Sequence, residues 1–237
     1  MQDHARLRHW ALCAVSAFSA VALSACGGGS GSPASAGNPG NQQAATSYTA
    51  QQLRGALLSR IDGVRPAAPV EAGQYGSLRG VRDGTASTRG VRIVPARCAR
   101  AAKTGLDSSS LADAPATVVS FRHGSGGVSE VLLAPRSTLA ARALGRRVPK
   151  GCTHYRAVVG GKTIAYTVKE EPAPHIGQAA REIRVHAAGS TKLDVWTVIY
   201  QANGYIGAVT LIGPAAKRSD VETIARMAYG KAERTLQ

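Results

Sequence analysis

The chain is short of aromatics, short of acids and free of dense charge runs, and each shortage narrows what it can be. Aromatics make up 5% of 237 residues, with two Phe and two Trp. A core must therefore rest on Val, Ile, Leu and Ala. Basic residues interleaved with aromatics, as single-stranded nucleic-acid platforms need, are missing: the Arg-rich stretch 61–97 contains only Tyr75. Asp and Glu number 14 against 29 Lys and Arg, a formal charge of +15. Such a protein is attracted to polyanions. The cations are scattered, however, so composition marks no dedicated patch, and a generally Arg-rich composition explains the excess equally simply.

Catalytic signatures are missing too. Gly124-Ser125-Gly126-Gly127 has the wrong spacing for a nucleophile elbow and reads as a glycine-permitted hairpin turn. It also lacks the Lys-Ser/Thr and helix of a phosphate-binding loop. His123, His154, His175 and His186 are far apart, with no H-x-x-x-H or H-x-H, so their spacing points to solvated histidines rather than metal ligands. Glu170-Glu171 precedes Pro172, and adjacent strand carboxylates point in different directions, unlike a glycosidase pair. No catalytic, cofactor-binding or metal-binding residue is expected. After residue 25 no apolar run is long enough to span a membrane.

What is present starts at the N-terminus. Residues 1–25 have a basic start, an apolar segment from Trp10 and a small-residue end, the plan of a secretory signal peptide. Leu23-Ser24-Ala25-Cys26 resembles a bacterial lipobox. That resemblance implies cleavage before Cys26, lipid (diacylglycerol and palmitate) on its thiol, and anchorage to the extracytoplasmic face of the cell membrane. Residues 26–46 then form the lipidated cysteine and a tether. The nineteen residues Gly27–Ala45 have no charge and almost no apolar bulk, with a root-mean-square reach of about 25 Å. Outside a membrane the anionic partners would be lipid headgroups or phosphate- or carboxylate-bearing wall polymers, not nucleic acid.

The four cysteines divide by position. Cys13 leaves with the signal, and Cys26 is the lipid site. Cys98 and Cys152 remain, and in an oxidising compartment they are expected to pair. Closing that loop would stabilise the fold by about 4 kcal/mol. A metal or redox pair would need C-x-x-C spacing or nearby histidines, which are lacking.

About 190 residues remain for folding, enough for a real core. Tyr48-Thr49-Ala50-Gln51-Gln52-Leu53 reads as a capping box with a hydrophobic staple, opening a helix to about Arg60. Ile61–Val94 shows neither helical nor strand period and reads as a long loop. Pro95–Ala102 begins a short helix. Alternation predicts strands at 117–122, 128–133, 155–159, 162–168, 181–187, 195–201 and 205–212, with hairpin turns at Gly160-Gly161 and Asn203-Gly204. In the second hairpin Tyr155, Ala157, Ile164, Tyr166 and Val168 share a face; His154, Arg156, Thr163 and Thr167 share the other, toward water or a polar cleft. Helices are expected at 137–147 and 219–236, the latter opened by a second capping box, Ser219 with Glu222. The order implies α+β: one curved antiparallel sheet of about seven strands, flanked by N- and C-terminal helices, with one disulfide.

The lipobox and tether, the opening T-A-Q-Q-L-R-G-A-L-L, then P-A-R-C-A, P-K-G-C-T, P-A-P-H-I-G and the closing A-R-M-A-Y-G-K-A-E-R-T-L resemble actinobacterial lipoproteins with a sensor-type domain. The stretch 47–237 is similar to the extracellular sensor domain of the PknH-type serine/threonine kinases. The resemblance implies a sheet with helices around a ligand cleft, and no catalysis. It departs in having one disulfide rather than more, and no attached kinase, so a signal would pass through a partner.

Three functions follow as expectations. The first is a non-catalytic module sensing or holding a small or polymeric ligand, in which Arg79, Arg82, Arg89 and Arg92 could clamp an anion if residues 61–94 fold over the sheet. The second is an envelope hydrolase or wall-modifying enzyme with a dispersed active site, which needs two of Ser125, His123, His154, His175, His186, Glu170 and Asp194 within hydrogen-bond reach. The third is a structural envelope lipoprotein without a ligand.

Overall fold

Alternating apolar and polar residues between Pro115 and Gly213 build seven long strands, and two short strands from the stretch that showed no period complete the sheet. The computed structural model describes residues 48–236 apart from 102, 104–105, 108, 173–174 and 190–191. Cys13, Cys26 and the tether lie outside the described residues. The strands are β1 (Glu71–Gln74), β2 (Arg92–Val94), β3 (Pro115–His123), β4 (Gly126–Leu133), β5 (His154–Val159), β6 (Lys162–Glu171), β7 (Ala179–Ala188), β8 (Leu193–Ala202) and β9 (Tyr205–Gly213). The helices are α1 (Ala50–Ala56), α2 (Arg79–Ser87), α3 (Ser137–Gly145) and α4 (Arg218–Thr235). All pairings are antiparallel, in the open order β1-β3-β4-β9-β8-β7-β6-β5-β2. Among the described residues the fold is α+β as expected, with nine strands where seven were legible.

Both sheet faces carry a core. On one, α1 and α4 bury Leu53, Val221, Ile224 and Ala228 against Phe121, Val198, Tyr200 and Val209. On the other, α3 and the segment carrying Cys98 cover Ala116, Ile183, Ile199 and Ile206. The Gly160-Gly161 turn takes positive φ at both residues, 53° and 77°, which is what a tight hairpin of this twist requires. Tyr155 and Val168 are buried as the alternation predicts, while His154, Arg156 and Thr163 are exposed.

The stretch 61–94 is a strap rather than a loop. It leaves the sheet edge at β1, forms α2 and rejoins the opposite edge as β2. Eight strand spacings separate those edges, about 38 Å along the sheet at ~4.8 Å each. The intervening residues 75–91, partly helical, reach only about 40 Å at full stretch. A strap of that length crosses only a sheet that curls toward it. Cys98, just past β2, is disulfide-bonded to Cys152, just before β5, with Cα atoms 5.2 Å apart. The expected bridge thus fastens the strap's far end.

Helix ends differ from the sequence reading in physical detail. The Thr49–Gln52 capping box forms, Gln52 N–H donating to Thr49 Oγ1 at 3.3 Å and Thr49 N–H to Gln52 Oε1 at 2.8 Å. α1 stops at Ala56, not Arg60, because Leu57 turns extended and Leu58 N–H donates to the buried Glu130 at 2.8 Å. The second capping box does not form. Arg218 enters α4 ahead of Ser219 to pair with the buried Glu182 at 3.0 Å, and Glu222 pairs with Arg218 and Arg226 instead of returning to Ser219. Among the described residues no helix is long and apolar enough to cross a membrane.

Candidate functional site

The strap's first half is pinned to residues 112–117 before it becomes helical. Thr117 Oγ1 donates to the Glu71 carbonyl at 2.7 Å, Tyr75 N–H to Ala114 at 2.9 Å and Gly76 N–H to Ala112 at 2.8 Å. The N-cap position of α2 is Leu78, which has no capping side chain. Glu71 supplies the acceptor from β1, taking the Arg79 N–H at 2.5 Å. The anion also suits the positive end of the helix.

Between α2 and residues 107–112 lies a cavity of about 460 Å³, within the range of small-molecule sites. Tyr75, Val81, Arg82, Asp83, Arg89 and Asp107 are among its lining. Burial, and secondarily the Asp107 carboxylate, pushes the Tyr75 phenol up to about 12, so it stays a neutral hydrogen-bonding group. Asp107 is 3.6 Å from Lys103 and 3.6 Å from Arg146. With both signs on its wall and Val81, Ala86 and Ala112 as apolar lining, the cavity suits a small ligand carrying both polar charge and apolar surface.

The four candidate arginines do not converge. Arg82 and Arg89 line the cavity, Arg79 opens α2, and Arg92 lies in β2. Ile93 packs into the core beneath the strap, so strand alternation turns Arg92 to the opposite face. Asp83 and Asp107 carried no sequence signal. Placing Asp83 needs the helical period that two glycines blur, and Asp107 arrives from another segment.

Of the residues considered for catalysis, Ser125 sits in the β3–β4 turn and His175 in an exposed loop. Glu170 and Glu171 fall on opposite faces: Glu170 Oε1 accepts from Arg181 at 2.5 Å and from Val148 N–H at 3.0 Å, while Glu171 lies opposite Glu182 in register. His186 and Asp194 do meet, Nδ1 to Oδ1 at 3.1 Å. That same oxygen accepts from Arg184 Nε at 2.9 Å, and Arg184 stacks 5.0 Å from the Trp196 ring centroid. Among the described residues no hydroxyl or thiol is hydrogen-bonded to His186, and no cluster of His, Cys, Asp and Glu could hold a metal.

No family model and no curated protein matches the sequence. Among solved structures, an uncharacterised protein from Mycobacterium smegmatis is 13% identical, covering 61% of this chain and 77% of its own, with a TM-score of 0.39. The extracellular domain of PknH from Mycobacterium tuberculosis is 12% identical, with a TM-score of 0.55 over 80% of this chain and 99% of that one. In fold this chain is similar to the extracellular domain of PknH.

Proposed function

We propose that this protein is a membrane-anchored extracytoplasmic lipoprotein whose folded part, 47–237, is a non-catalytic ligand-binding or sensing domain. The cavity beside α2 carries the reading. The likeness in fold to an extracellular domain supports the location, as do the lipobox at Cys26 and a disulfide suited to an oxidising compartment. A ligand bridging α2 to residues 107–112 would hold the strap's least buried element in place. Binding would then shift the strap between looser and tighter states by its differential affinity for them.

A thermal-shift screen of small zwitterionic and anionic compounds tests the cavity. A true ligand raises the melting temperature of the native protein and not that of Arg82→Ala or Asp83→Asn. A ligand whose shift survives both changes binds elsewhere. For the anchor, Cys26→Ala should abolish palmitate labelling and either release the protein or leave the signal uncleaved, with the fold intact; labelling that persists rejects Cys26 as the lipid site. The His186–Asp194 contact favours a second reading, a hydrolase. It predicts ester or amide hydrolysis that disappears in His186→Ala, and no such activity is expected.

A further inference from the structure

We infer that the part of the sheet that no helix among the described residues covers binds a linear polyanion, a phosphate-bearing envelope polymer, along a single file of cations. This site is on the face opposite the strap cavity and does not depend on what the cavity holds. On that face α1 and α4 pack over β3, β4, β9 and β8. The outer strands β6, β5 and β2 leave Arg92, Arg156, His154 and Lys169 exposed there.

Register places these four in sequence. Arg92 is opposite Val158, two residues from Arg156; His154 follows on the same strand; and His154 is opposite Thr167, two residues from Lys169. Diagonal cross-strand neighbours lie about 7–8 Å apart, and alternate residues on one strand about 6.7 Å apart. The file therefore presents a polar group roughly every 7 Å for about 20 Å. Lys169 then faces Arg184 on β7.

Among the described residues Arg92, Arg156 and Lys169 form no ion pair. Carboxylates near the file are mostly engaged: Asp194 by Arg184 and His186, Glu182 by Arg218. Glu171 marks the end of the file, one step beyond Lys169 on the same face. Between the cations lie Val158, Thr163, Ala165 and Thr167, small enough to let an extended chain approach the sheet. A membrane surface fits less well. Interfacial binding adds buried apolar area to charge, and the large apolar side chains exposed among the described residues, Val64 and Met227, are not on these strands.

The test titrates the purified full chain with long-chain inorganic polyphosphate across a salt series, with phosphatidylglycerol–phosphatidylcholine vesicles in parallel. Polyphosphate should bind with strongly salt-dependent affinity. The Arg156→Ser/Lys169→Ser variant should lose at least tenfold in affinity, with the log–log salt slope shallower by about 1.4–1.8. Arg156→Lys/Lys169→Arg should keep most of the binding, and Arg100→Ser/Arg142→Ser, of equal charge loss at exposed positions on elements covering the other face, should bind as the native chain does. Equal weakening by both Ser pairs would mean that net charge alone binds the polymer. Binding that no pair affects, or a loss seen only with the vesicles, would equally overturn the assignment.

Discussion

Glu130 sits in an environment that disfavours its charged form. It is fully buried in β4, where its carboxylate accepts the Leu58 N–H, while Lys231 of α4 donates to the neighbouring Leu57 carbonyl. Burial pushes its pKa up to about 7, against the lowering influence of that hydrogen bond and of Lys231. The folded state thus holds the proton more tightly than the unfolded chain does. The stability from this group is fully present below the ordinary carboxyl pKa and is lost as pH rises through about 7. Between pH 5 and pH 8 the loss should be on the order of 3 kcal/mol, and Glu130→Gln should remove that part of the slope. Urea unfolding at the two pH values checks it; identical slopes in the two proteins would reject the assignment. Gly207 is the second telling residue. It lies opposite Tyr200 in register, and a Cβ there would sit 2.1 Å from the ring's Cζ. Gly207→Ala should cost several kcal/mol, read as a lowered denaturation midpoint, whereas a shift under about 0.5 kcal/mol would mean that the ring moves freely.

At the scale of elements, the strap is bound firmly at its ends and loosely in its middle. The disulfide fixes the end beyond β2, and its 54-residue separation makes Cys98→Ser/Cys152→Ser worth about 4 kcal/mol of lost stability. α2 buries none of its residues fully and contains Gly80 and Gly84, where an added Cβ meets nothing within 4 Å. Each Gly→Ala there should stabilise by about 0.5–1 kcal/mol at most. If α2 must move to admit a ligand, the double variant should melt higher and bind ligand more slowly. These elements were also the hardest to read. The long strands declared themselves because one side of each is buried, which enforces alternation. β1, β2 and α2 are short and bury none of their residues fully, so few apolar side chains mark them in the sequence. Pairing with β3 and β5 selects β1 and β2.

For the whole molecule, protection should fall from the centre of the sheet toward the strap. β8 and β9 are paired on both sides and covered by α4, while α2 has solvent on most of its surface. Hydrogen exchange should show β8 and β9 amides opening only with global unfolding and α2 amides exchanging orders of magnitude faster; equal protection would contradict this hierarchy. Local content was legible along the chain: a start at Thr49, seven alternating strands, their hairpin turns and the pairing of Cys98 with Cys152. The helix start, strands and turns follow from backbone rules readable within a few residues, and the disulfide from the two cysteines left to pair in an oxidising compartment. Tertiary structure alone decided that the stretch 61–94 straps the sheet from edge to edge, that Arg82 and Arg89 join Asp83 and Asp107 at one cavity, and that Arg92 joins Arg156 and Lys169 on the far face. Those groupings depend on strand order and sheet curvature, which arise from packing between residues far apart in the chain.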